Sequence, residues 1–128
     1  MSARGALAAG RAAHEQVMLD TCTVRHKTGQ ALDANDVMVP IYVTVYSGPC
    51  RVKAFRMGHQ TEAGQVAILM RGYDVQIPWD APGQILRADI LTIDTSDDTW
   101  VIGRPLTVNE VEFSGTQTAR HIKVEDDS

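Results

Sequence analysis

The chain has 128 residues, with 12 Lys and Arg against 16 Asp and Glu, four His, two Cys, 5% aromatic residues and a net charge of −4. That length can bury a core without disulfides or metals, and 44% hydrophobic with 22% charged residues excludes disordered and fibrous classes. Residues 1–64 sum to +2 and residues 65–128 to −6. A duplex-wrapping protein would carry a basic stripe, and so few aromatic side chains make a poor stacking platform for single strands.

Apolar runs extend only a few residues, so no membrane span is expected. Gly10, Arg11, His14 and Glu15 interrupt what a secretion signal would need as a continuous apolar region. Cys22 and Cys50 do not make a disulfide framework, and reduced thiols in a cytoplasmic setting are the expectation.

Residues 1–20 read as a helical arm. The stretch from Ser2 to Leu19 is Ala-rich and lacks Pro, and Ser2 is placed as an N-cap. Ala3, Leu7, Gly10, His14 and Val17 share one face, mostly too small to anchor a core, so the arm is expected to need a neighbour. Leu7, Arg11, His14, Val17 and Met18 are its candidate inter-subunit residues.

Residues 21–125 read as a β domain. Thr21 to Arg25 is a short β run, and Ile41, Val43 and Val45 alternate with Tyr42, Thr44 and Tyr46 in a longer one. Ser47-Gly48-Pro49 predicts a bend before the strand resumes from Cys50 to Phe55. In Val66 to Ile77 the apolar parity changes at Arg71-Gly72, which predicts a β-bulge there, or else two-sided burial of its first half. Leu86 to Ile93 and Thr99 to Ile102 predict a hairpin around residues 95–98, and Leu106 to Phe113 with Thr118 to Val124 a last strand pair. Residues 126–128 close the chain as an acidic tail. The predicted fold is mainly β: a small antiparallel β-barrel or sandwich with an N-terminal α-helix. His26 to Asp36 and Arg56 to Gln65 are long loops for such a fold, and loops of that length are functional or disordered more often than incidental.

Chemistry is poorly signalled. Cys22 and Cys50 lie in no nucleophile signature and read as small buried apolar residues. No CxxC or HExxH spacing occurs, so no metal or cofactor is implied. Asp94, Asp97 and Asp98 have the spacing of a solvated turn, not of a calcium loop, and Asp74, Asp80 and Asp89 read as solvent-facing sheet residues. No catalytic residue is singled out.

Asp20-Thr-Cys-Thr-Val-Arg25, then Tyr46-Ser-Gly-Pro-Cys-Arg-Val52, the stretch Val75-Gln-Ile-Pro-Trp-Asp-Ala81, and Gly83, Ala88, Asp89 and Trp100-Val-Ile-Gly103 together resemble one family. The chain resembles the head-to-tail stopper proteins, also called head-completion or head-closure proteins, of long-tailed bacteriophages, in the form seen in phages of actinobacteria. The resemblance covers most of residues 15–125. It implies a non-enzymatic virion protein: a small barrel with an N-terminal helix, assembled in the host cytoplasm into a ring of about twelve copies in the phage neck. The implied partners are the portal and adaptor ring above, the tail terminator and tail tube below, and packaged double-stranded DNA that passes the lumen without sequence-specific contacts.

The resemblance also implies a closing element that projects into the lumen. By order along the chain it comprises Arg56, Met57, Gly58, His59, Gln60, Thr61, Glu62, Ala63, Gly64 and Gln65, a stretch with no motif of its own. A net acidic surface suits a channel along which DNA slides, because like charges disfavour phosphate contacts. A tail terminator or other neck connector is the nearest alternative. A small β-barrel ligand-binding module is the alternative of another class; it would need a clustered aromatic face, for which Tyr42 and Tyr46 are the only same-parity pair on one strand.

Overall fold

In the computed structural model, which describes residues 2–59 and 68–126 (backbone alone for 55–59 and 68–71), alternating apolar residues close six strands into one antiparallel barrel. The elements are α1 (Ala3–Gln16), β1 (Asp20–Leu32), β2 (Met38–His59), β3 (Ile68–Pro78), β4 (Ile90–Thr95), β5 (Pro105–Val111) and β6 (Ala119–Asp126). The order around the barrel is β1-β2-β3-β6-β5-β4, and β4 pairs back onto β1. The chain is thus mainly β with one N-terminal helix, as its pattern predicts.

One parity of each strand fills the interior. Cys22 and Val24 enter from β1, Tyr46 and Cys50 from β2, Val75 and Ile77 from β3, Leu91 and Ile93 from β4, Leu106 and Val108 from β5, and Ile122 and Val124 from β6. Each such Leu, Ile or Val contributes about 1.5–3 kcal/mol relative to exposure.

The longest strands overrun the barrel. β2 pairs with β1 from Met38 to Cys50 and with β3 from Arg51 to His59, so Ser47-Gly48-Pro49 lies within one continuous strand, just before it changes partner. The Tyr46 hydroxyl spans this point by donating to Pro49 O at 2.6 Å. β4 leaves β1 at Arg25, yet the β1–β2 ladder continues to the Leu32–Met38 pair. β6 leaves β3 at Gly72, yet the β2–β3 ladder continues to the His59–Ile68 pair. Two ribbons therefore leave opposite ends of the barrel.

These ladders correct several expectations. The loop predicted from His26 to Asp36 is strand as far as Leu32, because a register shift between Lys27 and Gly29 absorbs the irregularity. Pairing runs regularly through Arg71-Gly72, with no bulge there. The hairpin from Leu86 to Ile102 does not form. Asp89 Oδ2 accepts from Leu86 N at 2.8 Å and Ala88 takes φ +75°, which turns the chain before β4. β4 then pairs with β5, and Ile102 keeps a single parallel bridge to Ile93.

Asp126, expected in the acidic tail, belongs to the last strand. Asp126 ends β6, buried, with Oδ2 3.1 Å from Arg104 Nη1, and residues 127–128 lie outside the described residues. Asp89 is also buried rather than solvent-facing, and its Oδ1 lies 2.5 Å from His26 Nδ1. A buried carboxylate persists when hydrogen bonds replace its lost water, and both residues have them.

Gly83 joins the β3–β4 connection to the first ribbon. It has φ +87°, and a Cβ there would lie 2.5 Å from Val45 O. Gly83→Ala combines a left-handed backbone with a clash on main chain, so it should lower stability by about 2 kcal/mol or more in urea unfolding. An unchanged midpoint would show that the connection moves freely away from β2.

Candidate functional site

The candidate gating residues divide in two. Arg56, Met57, Gly58 and His59 are not loop: they extend β2 and pair with Arg71, Met70, Leu69 and Ile68 of β3. Gln60, Thr61, Glu62, Ala63, Gly64 and Gln65 lie outside the described residues. The segment is thus entered and left along the second ribbon.

The helical arm is latched to its own barrel. Ser2 caps α1, its Oγ accepting from Gly5 N at 3.0 Å, and no residue of the helix is buried. Polar side chains hold it instead. Arg11 Nε donates to Gln117 O at 3.0 Å and Arg11 Nη2 to Gly115 O at 2.9 Å. The Arg11 guanidinium lies 3.7 Å from the centre of the Trp79 ring, with that of Arg120 at 4.6 Å. A cation over an indole face is worth about 0.5–2 kcal/mol, more as water is excluded. Gly10 allows the approach, since a Cβ there would meet Thr118 Cγ2 at 3.0 Å.

His14 extends the latch into a buried network. Gln76 Nε2 donates to Asp74 Oδ2 at 3.1 Å, which turns the Gln76 carbonyl toward His14. His14 Nε2 therefore donates to Gln76 Oε1, while Nδ1 lies 2.8 Å from Thr118 Oγ1. His121 Nδ1 reaches the same Asp74 oxygen at 3.0 Å. Of the five expected inter-subunit residues, Arg11, His14 and Met18 thus serve the chain's own barrel, Leu7 is half-buried and Val17 exposed. An apolar-face reading overlooks such an anchor, because its groups are cationic, aromatic and amide.

Two apolar features lack a partner. The first ribbon carries Val39, Ile41 and Val43 on one face and Met38 and Tyr42 on the other, all exposed. The second is a groove of about 290 Å³ at the barrel end from which that ribbon leaves, where Ile77, Ala81, Pro82, Ile85, Val111 and Phe113 are joined by the polar side chains of Gln84 and Arg120. Tyr42 stands on the ribbon and Tyr46 in the core, so the two do not form an aromatic platform.

The remaining candidates carry structural duties. Asp94 Oδ2 accepts from Thr23 Oγ1 at 2.6 Å, and Asp98 Oδ1 from Trp100 N at 3.1 Å. Among the described residues no group of three or more His, Cys, Asp or Glu is placed to hold a metal, and no helix is long and apolar enough to cross a membrane. Cys22 and Cys50 are both free and buried. A hydrogen bond with Cys50 and then burial push the Cys22 thiol far above its ordinary range. Burial likewise raises the Tyr46 phenol.

A model of a family of unknown function, DUF6093, matches residues 10–125, nearly the whole chain. The chain belongs to the DUF6093 family. No curated protein matches it. The matched stretch takes in Arg11, His14 and the barrel up to Glu125, so these latch residues lie within the DUF6093 domain.

Two outcomes follow for this DUF6093 chain. Arg11→Ala should speed trypsin cleavage at Arg4 about tenfold, the change produced when local opening becomes easier by about 1.4 kcal/mol; an unchanged rate would remove Arg11 from the latch. Because the folded Cys22 pKa is raised, its stabilising effect is complete below the unfolded thiol value of about 8.5 and declines above it. Urea midpoints should therefore fall between about pH 8.5 and 10, and iodoacetamide should spare native Cys22 at pH 8.

Proposed function

We propose that the chain is a head-to-tail stopper, a non-enzymatic subunit of a ring in the neck of a long-tailed bacteriophage. In this reading it sits between the portal and adaptor ring and the tail, retains packaged DNA, and provides the channel through which that DNA leaves.

The observation that carries the reading is the second ribbon. The β2–β3 ladder runs four residue pairs, Arg56–Arg71 through His59–Ile68, past the last β3–β6 pair at Gly72. The core residues Val75 and Ile77 of β3 both lie where it pairs with β6, inside the closed part of the barrel. A paired ribbon is a stiff support for a segment that must reach across a lumen. Residues 56–65, the closing element that the resemblance implies, start on it.

Charge supports the same role. Asp94, Asp97, Asp98 and Glu110 are exposed on the second half of the chain, whose net charge is −6. Carboxylates repel phosphates, so a ring faced with them lets DNA slide and confines gating to the ribbon.

Replacing residues 60–67 by an Asn-Gly turn keeps the paired strands, because that dipeptide favours the two-residue hairpin turn. Phage carrying this variant should package DNA and then lose it from the filled capsid. Normal retention in particles that contain the shortened chain would contradict the gating role.

A further inference from the structure

The register of the second ribbon sets two arginines against each other. Lys53 stands opposite Asp74 on the β2–β3 ladder, but three steps on Arg56 stands opposite Arg71. Like charges directly opposed across an antiparallel ladder destabilise it. Residues 53–59 and 68–73 include Lys53, Arg56, His59 and Arg71 and no carboxylate. A chain of net charge −4 thus keeps a cationic, carboxylate-free stretch on the ribbon that leads to residues 60–67.

The carboxylates nearest in the register have other duties. Asp74 faces Lys53 and lies 3.0 Å from His121 Nδ1. Glu125 pairs with Gly72, a position on the opposite face of β3 from Arg71. Asp126, which follows it, lies 3.1 Å from Arg104 Nη1. Even shared with the ribbon, that one carboxylate against Arg104, Arg56 and Arg71 leaves a net positive charge. By parity Arg56 and Arg71 share the face of Val52 and Val75, which pack in the core. The inner face therefore turns from apolar to cationic where β6 stops pairing.

The chemistry of the pair selects its ligand. An arginine fork matches the oxygens of a phosphate, and directly opposed residues stand about 5 Å apart at Cβ, close enough for both to serve one phosphate group. A contact of this kind positions a nucleic acid without reading its bases.

We propose that Arg56 and Arg71 form a phosphodiester contact through which the second ribbon holds the backbone of double-stranded DNA. The contact rests on the neck reading for the source of the DNA and deepens it. The ribbon supplies a grip at one level, while the carboxylates elsewhere repel phosphates and leave the duplex free to slide.

The test measures binding of a duplex of about 30 base pairs to the full chain by fluorescence anisotropy across a range of salt. Each phosphate neutralised makes log affinity fall more steeply with log salt, by about 0.9. Arg56→Gln with Arg71→Gln should flatten that fall by about 1.8 for each bound chain and weaken low-salt binding about tenfold or more, with an unchanged circular dichroism spectrum. Arg56→Lys with Arg71→Lys should keep the slope, since the charges remain. An unchanged slope in the glutamine variant, or a slope lost in the lysine variant, would overturn the contact. So would an equal loss from Arg4→Gln with Arg87→Gln, which removes two exposed arginines far from the ribbon in sequence. Polyglutamate bound as tightly as the duplex would assign the pair to an acidic protein surface and overturn the DNA contact. A wild-type chain that does not bind the duplex even at low salt would overturn the contact and leave the gating role to the DNA-retention test.

Discussion

Three strands of this barrel are longer than the barrel. Six strands must close on one another to satisfy their backbone groups, but β4, β5 and β6 are short, and they set the height over which closure is complete. The surplus of β1, β2 and β3 can then pair only with itself. It leaves as two ribbons at opposite ends, joined through the single strand β2, which changes partner between Cys50 and Arg51. That mismatch in length separates an element with exposed apolar residues on both faces from the element that leads into residues 60–67.

The rest of the molecule supports this division. The buried Asp89 holds the turn before β4 and meets His26 where the first ribbon leaves the barrel. Asp126 and Arg104 hold the opposite end, where Arg104 also binds Trp100 O at 2.8 Å. The helix lies over β3 and β6 through Arg11, His14 and Trp79, contacts that make and break more readily than a buried apolar face. A helix latched by polar groups is held in place without burying any residue of its own.

Alternation of apolar residues made the barrel legible in the sequence, since it directly records one wet and one dry face. It made the ribbons illegible for the same reason. Both faces of residues 38–44 are exposed, so the alternation there marks no interior, and the irregularity between Lys27 and Gly29 hides the continuing ladder. Carboxylates were misread where hydrogen bonds replace water, at Asp89 and Asp126. The proximity of Cys22 and Cys50 depends on a register that places both on one face, diagonally across β1 and β2. The latch was half legible: Ser2 and the Ala-rich run specify the helix, but only the fold brings Trp79 under Arg11.

The central claim is that the second ribbon of a ring subunit points toward DNA. Imaging of the neck in intact particles, at a resolution that traces side chains, tests it most directly. The account predicts a ring of this chain between portal and tail, with residues 56–65 of each copy directed into the lumen. A neck that lacks the chain, or a ring whose β2–β3 ribbons point outward, would contradict it.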